Sequence, residues 1–145
     1  MKSKLLLDRD GQRTFAVVFD TGDEVAKGLL EFARRQHLAA SQFTAIGAFS
    51  DAVIAYFRWD TRQYMHIPIP EQTEVLTCAG DVTVSDDGPQ VHAHVVLGKS
   101  DGSAHGGHLI EAHVRPTLEV VLTESPAHLR RRRDQRSGLS LIHID

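Results

Sequence analysis

Val91-His92-Ala93-His94-Val95-Val96-Leu97 is the stretch of this 145-residue chain whose residue types and spacing point most directly to chemistry. In a strand, side chains two apart share a face. His92 and His94 therefore point one way, while Val91, Ala93, Val95 and Leu97 line the other side. Two adjacent imidazoles can chelate one ion with no backbone distortion. A third ligand has to come from elsewhere, and Gly106-Gly107-His108-Leu109 offers it. Paired glycines let a backbone approach closely or adopt positive φ, which would aim His108 back at the strand. His92, His94 and His108 then form a candidate site for Zn2+ or another divalent transition metal. Three histidines leave a fourth position for water or another ligand.

A plainer reading stands beside this one. A His-x-His pair on a solvated strand face also occurs with no ion, and the chain has nine histidines to scatter. His105 reads as a surface loop residue. His113 follows Glu111 by two and shares its face, so it is a candidate for a place behind a metal ligand. Glu111 lies three residues after His108. It could orient an imidazole, act as a general base beside metal-bound water, or be a surface glutamate. His37, His66, His128 and His143 read as structural or exposed. Cys78 lies among alternating apolar residues and reads as core. Arg130-Arg131-Arg132-Arg133, with Arg136 nearby, is the only basic run. It could be a phosphate contact, but it reads rather as a solvated connection, because no aromatic residues interleave with it for base stacking. No phosphate-cradling glycine loop or serine-nucleophile elbow is present.

The elements that must position these groups follow from periodicity. Leu5–Leu7 and Phe15–Phe19 read as short strands joined through Asp8-Arg9-Asp10-Gly11. Thr21-Gly22-Asp23-Glu24 fits a capping box with Thr21 as the cap. Val25, Ala26, Leu29, Leu30 and Ala33 then recur on one helix face. Gly28 lies inside that helix at a cost of about 1 kcal/mol relative to alanine, which suggests close packing. Phe43–Ala48, Asp51–Trp59, Tyr64–Ile67, Leu118–Thr123 and Leu139–Ile144 read as strands, with Gly47 at a bend or bulge. Glu74–Ser85 and Gln90–Leu97 form the clearest hairpin, joined through Asp86-Asp87-Gly88-Pro89. Strands and helices do not alternate. The expected fold is α+β: a mostly antiparallel sheet of about seven strands packed with one long helix and short helices, in a single domain over 1–145.

Composition narrows the function classes. Hydrophobic residues make up 41% and charged residues 24%, as in a globular protein. The net charge of -3 lacks the basic excess of a dedicated nucleic-acid binder, whose affinity comes largely from counterion release. No apolar run approaches the roughly 20 residues of a membrane-spanning helix. A single cysteine suits a reducing compartment, so the expected location is cytoplasmic.

These residues also carry a resemblance. Gly80-Asp81-Val82-Thr83, the stretch from Val91 to Gly98, Asp101-Gly102, Gly106-Gly107-His108-Leu109 and Pro116-Thr117-Leu118-Glu119-Val120-Val121-Leu122 resemble the signature of the plants-and-prokaryotes conserved (PPC) domain. Thr21–Glu24, Ile46-Gly47-Ala48 and Gly138-Leu139 extend the likeness over nearly the whole chain. The resemblance implies a homotrimer and, at His92, His94 and His108, association with zinc. It also implies a regulatory or DNA-associated role. Two departures weigh against the plant type. The chain has no Arg-Gly-Arg hook, and it has Gln72-Thr73-Glu74-Val75-Leu76 where plant members carry a partner-binding segment.

Two function classes follow. One is a zinc-binding trimeric module with at most weak DNA binding. The other is a metal-dependent enzyme in which a three-histidine ion activates water or polarises a carbonyl of a small-molecule ligand. The sequence assigns no catalytic residue.

Overall fold

The computed structural model describes residues 1–144. Nine strands and one helix follow in the order β1 (Lys2–Arg9), β2 (Gln12–Asp20), α1 (Val25–Gln36), β3 (Ala40–Arg58), β4 (Gln63–Ile69), β5 (Thr73–Ser85), β6 (Gly88–Gly98), β7 (Ala104–Glu124), β8 (Arg130–Arg133) and β9 (Ser140–His143). All nine strands belong to one sheet. Strand β3 pairs with β5 and β7, and β6 bridges β5 to β7, so these four strands close into a circuit. Pairing is antiparallel throughout except for a single parallel bridge, Val84 to Arg130, between β5 and β8.

Alternation along the strands separates an inner from an outer face. Phe43, Ala45, Cys78, Ala93, Val95, Leu97, Val120 and Leu122 point inward and are buried. Helix α1 adds Val25, Leu29, Phe32 and Ala33 to the same core. Gly28 explains its place in the helix: a Cβ there would come within 2.4 Å of the Phe19 ring.

The fold departs from the expectation of about seven strands packed with one long helix and short helices. Strands hold 67% of the residues and helix 8%, so the protein is mostly β. Among the described residues α1 is the sole helix and has 12 residues. It stops at His37, which takes the left-handed conformation and caps the last turn through Ala33 and Arg34. Segments that read as separate strands are continuous. Register shifts in β3 between Ala45 and Gly47, and again further along, let it bend without ending. At Gly47 a Cβ would meet the Thr117 carbonyl at 2.2 Å, so the close approach of β7 requires glycine.

The helix start also differs. Glu24, not Thr21, is the cap, accepting from the backbone N–H groups of Ala26 and Lys27 at 3.0 and 2.6 Å. Thr21 instead donates to the Pro116 carbonyl. The arginine run is no loose connection: it forms β8, which hairpins with β9. Among the described residues no helix is long and apolar enough to cross a membrane.

Candidate metal centre

The β6–β7 hairpin assembles the three histidines. His94 and His108 are register partners across it, and His92 lies two residues along the same face of β6. All three project from the outer face of the strand circuit, opposite buried Ala93, Val95 and Leu109. Their ligand atoms lie within 4.8 Å of one another. Ring centroids are 5.0 Å apart for His92–His94, 5.0 Å for His92–His108 and 5.6 Å for His94–His108.

The glycines before His108 act by close approach rather than by positive φ. A Cβ on Gly107 would stand 2.8 Å from the Ala55 carbonyl oxygen, where β7 pairs with β3. The third histidine thus arrives by strand pairing, with Gly106 and Gly107 already inside β7.

Protonation favours the ligand form. Burial, reinforced by the neighbouring His92, His94 and Arg131 charges, pushes His108 down to about 4. Burial and then His92 also hold His94 below its ordinary value. Neutral imidazoles are what a transition ion needs. Nδ1 of His108 is buried and has no hydrogen-bond partner among the described residues. A buried polar atom without a partner is costly, so it marks the place where a ligand interaction belongs. The donor set and this orphaned nitrogen fit a divalent transition ion.

Around the histidines lie groups to which sequence spacing assigned no role. Tyr64 of β4 stacks on His108 with centroids 4.8 Å apart. Asp81 of β5 is the register partner of His92, and its Oδ2 lies 3.7 Å from His92 Nδ1. Arg131 reaches in from β8 with its side chain only 7% exposed. It donates to Thr83 Oγ1 at 2.7 Å, to the Ser140 carbonyl at 2.7 Å and to both Asp81 oxygens at 2.8 and 3.0 Å. Its Nη2 also lies 3.3 Å from His92 Nδ1. Burial pulls Asp81 upward, but the nearby His92 ring and the hydrogen bonds from Arg131 outweigh it and hold its carboxyl below the ordinary value. A cavity of about 240 Å3 lies between His92 and His108 on one side and the β8–β9 hairpin on the other.

Other candidates fall away from the cluster. His113 Nδ1 pairs with Asp51 Oδ1 at 2.8 Å, and Glu111 lies 3.8 Å from His113 Nε2 rather than beside His108. His105 is exposed on β7, opposite Leu97. Cys78 is buried, and burial raises its thiol to about 11, which leaves it unreactive.

Comparison with known proteins places the fold. A structure of a plant- and prokaryote-conserved protein from Pyrococcus horikoshii is 28% identical, with a TM-score of 0.85 over 97% of this chain and 95% of that one. A metal-containing protein from Archaeoglobus fulgidus is 30% identical, with a TM-score of 0.85 over 99% of both chains. A candidate DNA-binding protein from Bacteroides thetaiotaomicron shares the fold at 21% identity, with a TM-score of 0.86 over 97% of this chain and 96% of that one. Among curated proteins, the bifunctional protein GlmU of Synechococcus sp. (strain JA-3-3Ab) is 30% identical over 127 residues, which is 86% of this chain. The chain spans only 19% of that relative's length. The sequence profile of the Plants and Prokaryotes Conserved (PCC) domain, the PPC domain of the resemblance above, matches residues 8–126, and the chain belongs to that family.

Proposed function

We propose that this protein is a metal-binding module that holds one divalent transition ion, zinc first among them, through His92, His94 and His108. The observation that carries this reading is the convergence of three imidazoles whose ligand atoms lie within 4.8 Å, one of them with a buried, unpartnered nitrogen. The similarity to a metal-containing archaeal protein supports it. When bound, such an ion supplies Lewis acidity and an anchor for one further ligand. Elemental analysis of the purified chain tests the reading: about one equivalent of metal is expected, and none in His108→Ala. Metal-free parent protein that takes up no added zinc would overturn it.

The module acts as a homotrimer in this reading. Val18, Ile46, Leu76, Val96 and Val121 are exposed on the outer faces of five neighbouring strands. Apolar side chains exposed on neighbouring strands offer a surface on which another subunit could sit. Light scattering should give about 48 kDa, three chains of 16.0 kDa. DNA association enters through the names of structural neighbours, and the chain's charge of -3 argues for weak binding. The buried free thiol of Cys78 suits a reducing compartment, so the cytoplasm is the proposed location.

A second reading, a metal-dependent enzyme, is favoured by the cavity beside the histidines, which has room for a small ligand. Among the described residues no aspartate or glutamate lines that cavity, and the nearby carboxylate of Asp81 is committed to Arg131. A binding role suits this described lining better than one that needs a carboxylate base beside the ion.

A further inference from the structure

A neutral imidazole has one N–H and one lone pair, and ligation uses the lone pair. Which nitrogen of a histidine can ligate is therefore decided by what its other nitrogen touches. Nδ1 of His92 meets two groups of opposite character. Arg131 Nη2, at 3.3 Å, can only donate. Asp81 Oδ2, at 3.7 Å, can only accept when ionised. An Nδ1 that accepts from Arg131 leaves the proton on Nε2 and closes that nitrogen to an ion. An Nδ1–H that donates to Asp81 leaves the Nε2 lone pair free. The two neighbours select opposite tautomers, and only the one chosen by Asp81 can ligate through Nε2.

We propose that Asp81, held by Arg131, is a positioning residue of the metal centre: it fixes His92 as the Nδ1–H tautomer and so presents Nε2 to the ion. The inference rests on the metal-binding reading above. Register supplies the first half of the arrangement, because Asp81 and His92 are partners on β5 and β6 and project from the same face. Arg131 supplies the second half. One guanidinium nitrogen contacts both oxygens of Asp81, while the rest of the group is tied to Thr83 and the Ser140 carbonyl. The carboxylate is thereby held in place beside His92. With Asp81 Oδ2 at 3.7 Å and Arg131 Nη2 at 3.3 Å, the Nδ1 hydrogen bond passes to Asp81 once His92 and the carboxylate close to ordinary hydrogen-bond length, a shift of roughly half an ångström. Arg131 also lies on β8, beyond the 8–126 segment that matches the family. The C-terminal hairpin of this chain thus contributes to the centre a group that the matched segment does not contain.

The test is a zinc competition titration of the full chain against a chromophoric chelator, comparing the parent with Asp81→Ala. Loss of such an outer partner should weaken zinc binding by roughly 10–100-fold. A purely structural role would lower the melting temperature of the metal-free protein and leave the affinity of the folded fraction unchanged. Zinc binding by Asp81→Ala as tight as the parent's would overturn the proposal while leaving the metal site standing. A parent that binds no zinc would overturn both. Should Asp81→Ala fail to fold, nitrogen-15 NMR of histidine-labelled, zinc-loaded parent gives the same decision without a variant. A proton on Nδ1 of His92 with Nε2 bound is expected, and a proton on Nε2 would sink the idea.

Discussion

His94 and His108 stand opposite each other across the β6–β7 ladder, yet they sit in different surroundings. His94 is the more exposed of the two, whereas His108 is half-buried and stacked on Tyr64. Their loss should therefore look alike in metal content and unlike in stability. His94→Ala is expected to remove metal with little change in melting temperature, because the core packs from the opposite strand face. His108→Ala should remove metal and also destabilise the metal-free protein by about 1–2 kcal/mol, through the lost ring contact. Parallel elemental analysis and thermal melts check this. Equal stability loss in the two variants would contradict the division.

Gly107 sets where His108 sits. Alanine there would bring a Cβ to 2.8 Å from the Ala55 carbonyl oxygen, and that neighbour is backbone that cannot rotate aside. Strand β7 would have to move off β3, at a cost of about 1–3 kcal/mol. The contacts at Gly106 are 3.3 and 3.5 Å, so Gly106→Ala should be milder in both stability and zinc affinity. A chemical denaturation series on the two variants decides it, and a larger effect at Gly106 would refute the steric account.

The histidine site was legible because its signal is local. A period of two puts His92 and His94 on one face, and a Gly-Gly pair marks a close approach. The groups behind it depend on register, which is much harder to read. Placing Asp86-Asp87-Gly88-Pro89 as the hairpin connection pairs Ser85 with Gln90 and would set Asp81 opposite His94. In the structure the turn is tighter, Ser85 pairs with Gly88, and Asp81 faces His92. Pro89, expected in the connection, lies within β6 and is tolerated there, because β6 pairs with β7 only from His94 onward and is an edge before that. The burial of Arg131 carries no local signature at all. Four consecutive arginines read as solvated, and only tertiary placement beside Asp81 and Thr83 brings one of them inside.

The His113–Asp51 pair gives a pH dependence that is separate from the metal centre. The hydrogen bond to Asp51 raises His113 above 6.5, with Glu111 and Glu24 adding to it, and the same contact lowers Asp51 below 3.8. The contribution of His113 is complete below 6.5 and is lost as pH rises through its raised folded value. That of Asp51 is present above 3.8 and is lost as pH falls through its lowered value. The stability difference between the parent and His113→Gln should therefore be greatest between about pH 4 and 6.5 and shrink above it. Both groups are more than a third exposed, so the difference should be on the order of 1 kcal/mol or less. Urea melts from pH 5 to about 9 would reveal it, and a difference that stays flat across that range would exclude this pair as its source.

Duplex DNA is the remaining partner to test, and the fate of the arginine run changes what to expect. Arg131 is spent inside the protein on Asp81, Thr83 and Ser140, while Arg130, Arg132 and Arg133 are exposed on β8. Affinity should be weak, indifferent to sequence and steeply dependent on salt, falling in log K by about 0.9 per log unit of salt for each phosphate neutralised. Replacing Arg130, Arg132 and Arg133 together with serine should flatten that slope by up to about 3 per chain if all three touch phosphate. Arg131→Ser should leave the slope nearly unchanged and act instead on zinc affinity, because its guanidinium faces Asp81 and His92 rather than solvent. Fluorescence anisotropy of a labelled duplex between about 50 and 200 mM salt separates the two effects. Tight binding to one defined sequence near 150 mM salt that survives the triple substitution would place the DNA surface elsewhere on the molecule. It would also make nucleic-acid recognition, rather than the metal, the leading account of what this protein does.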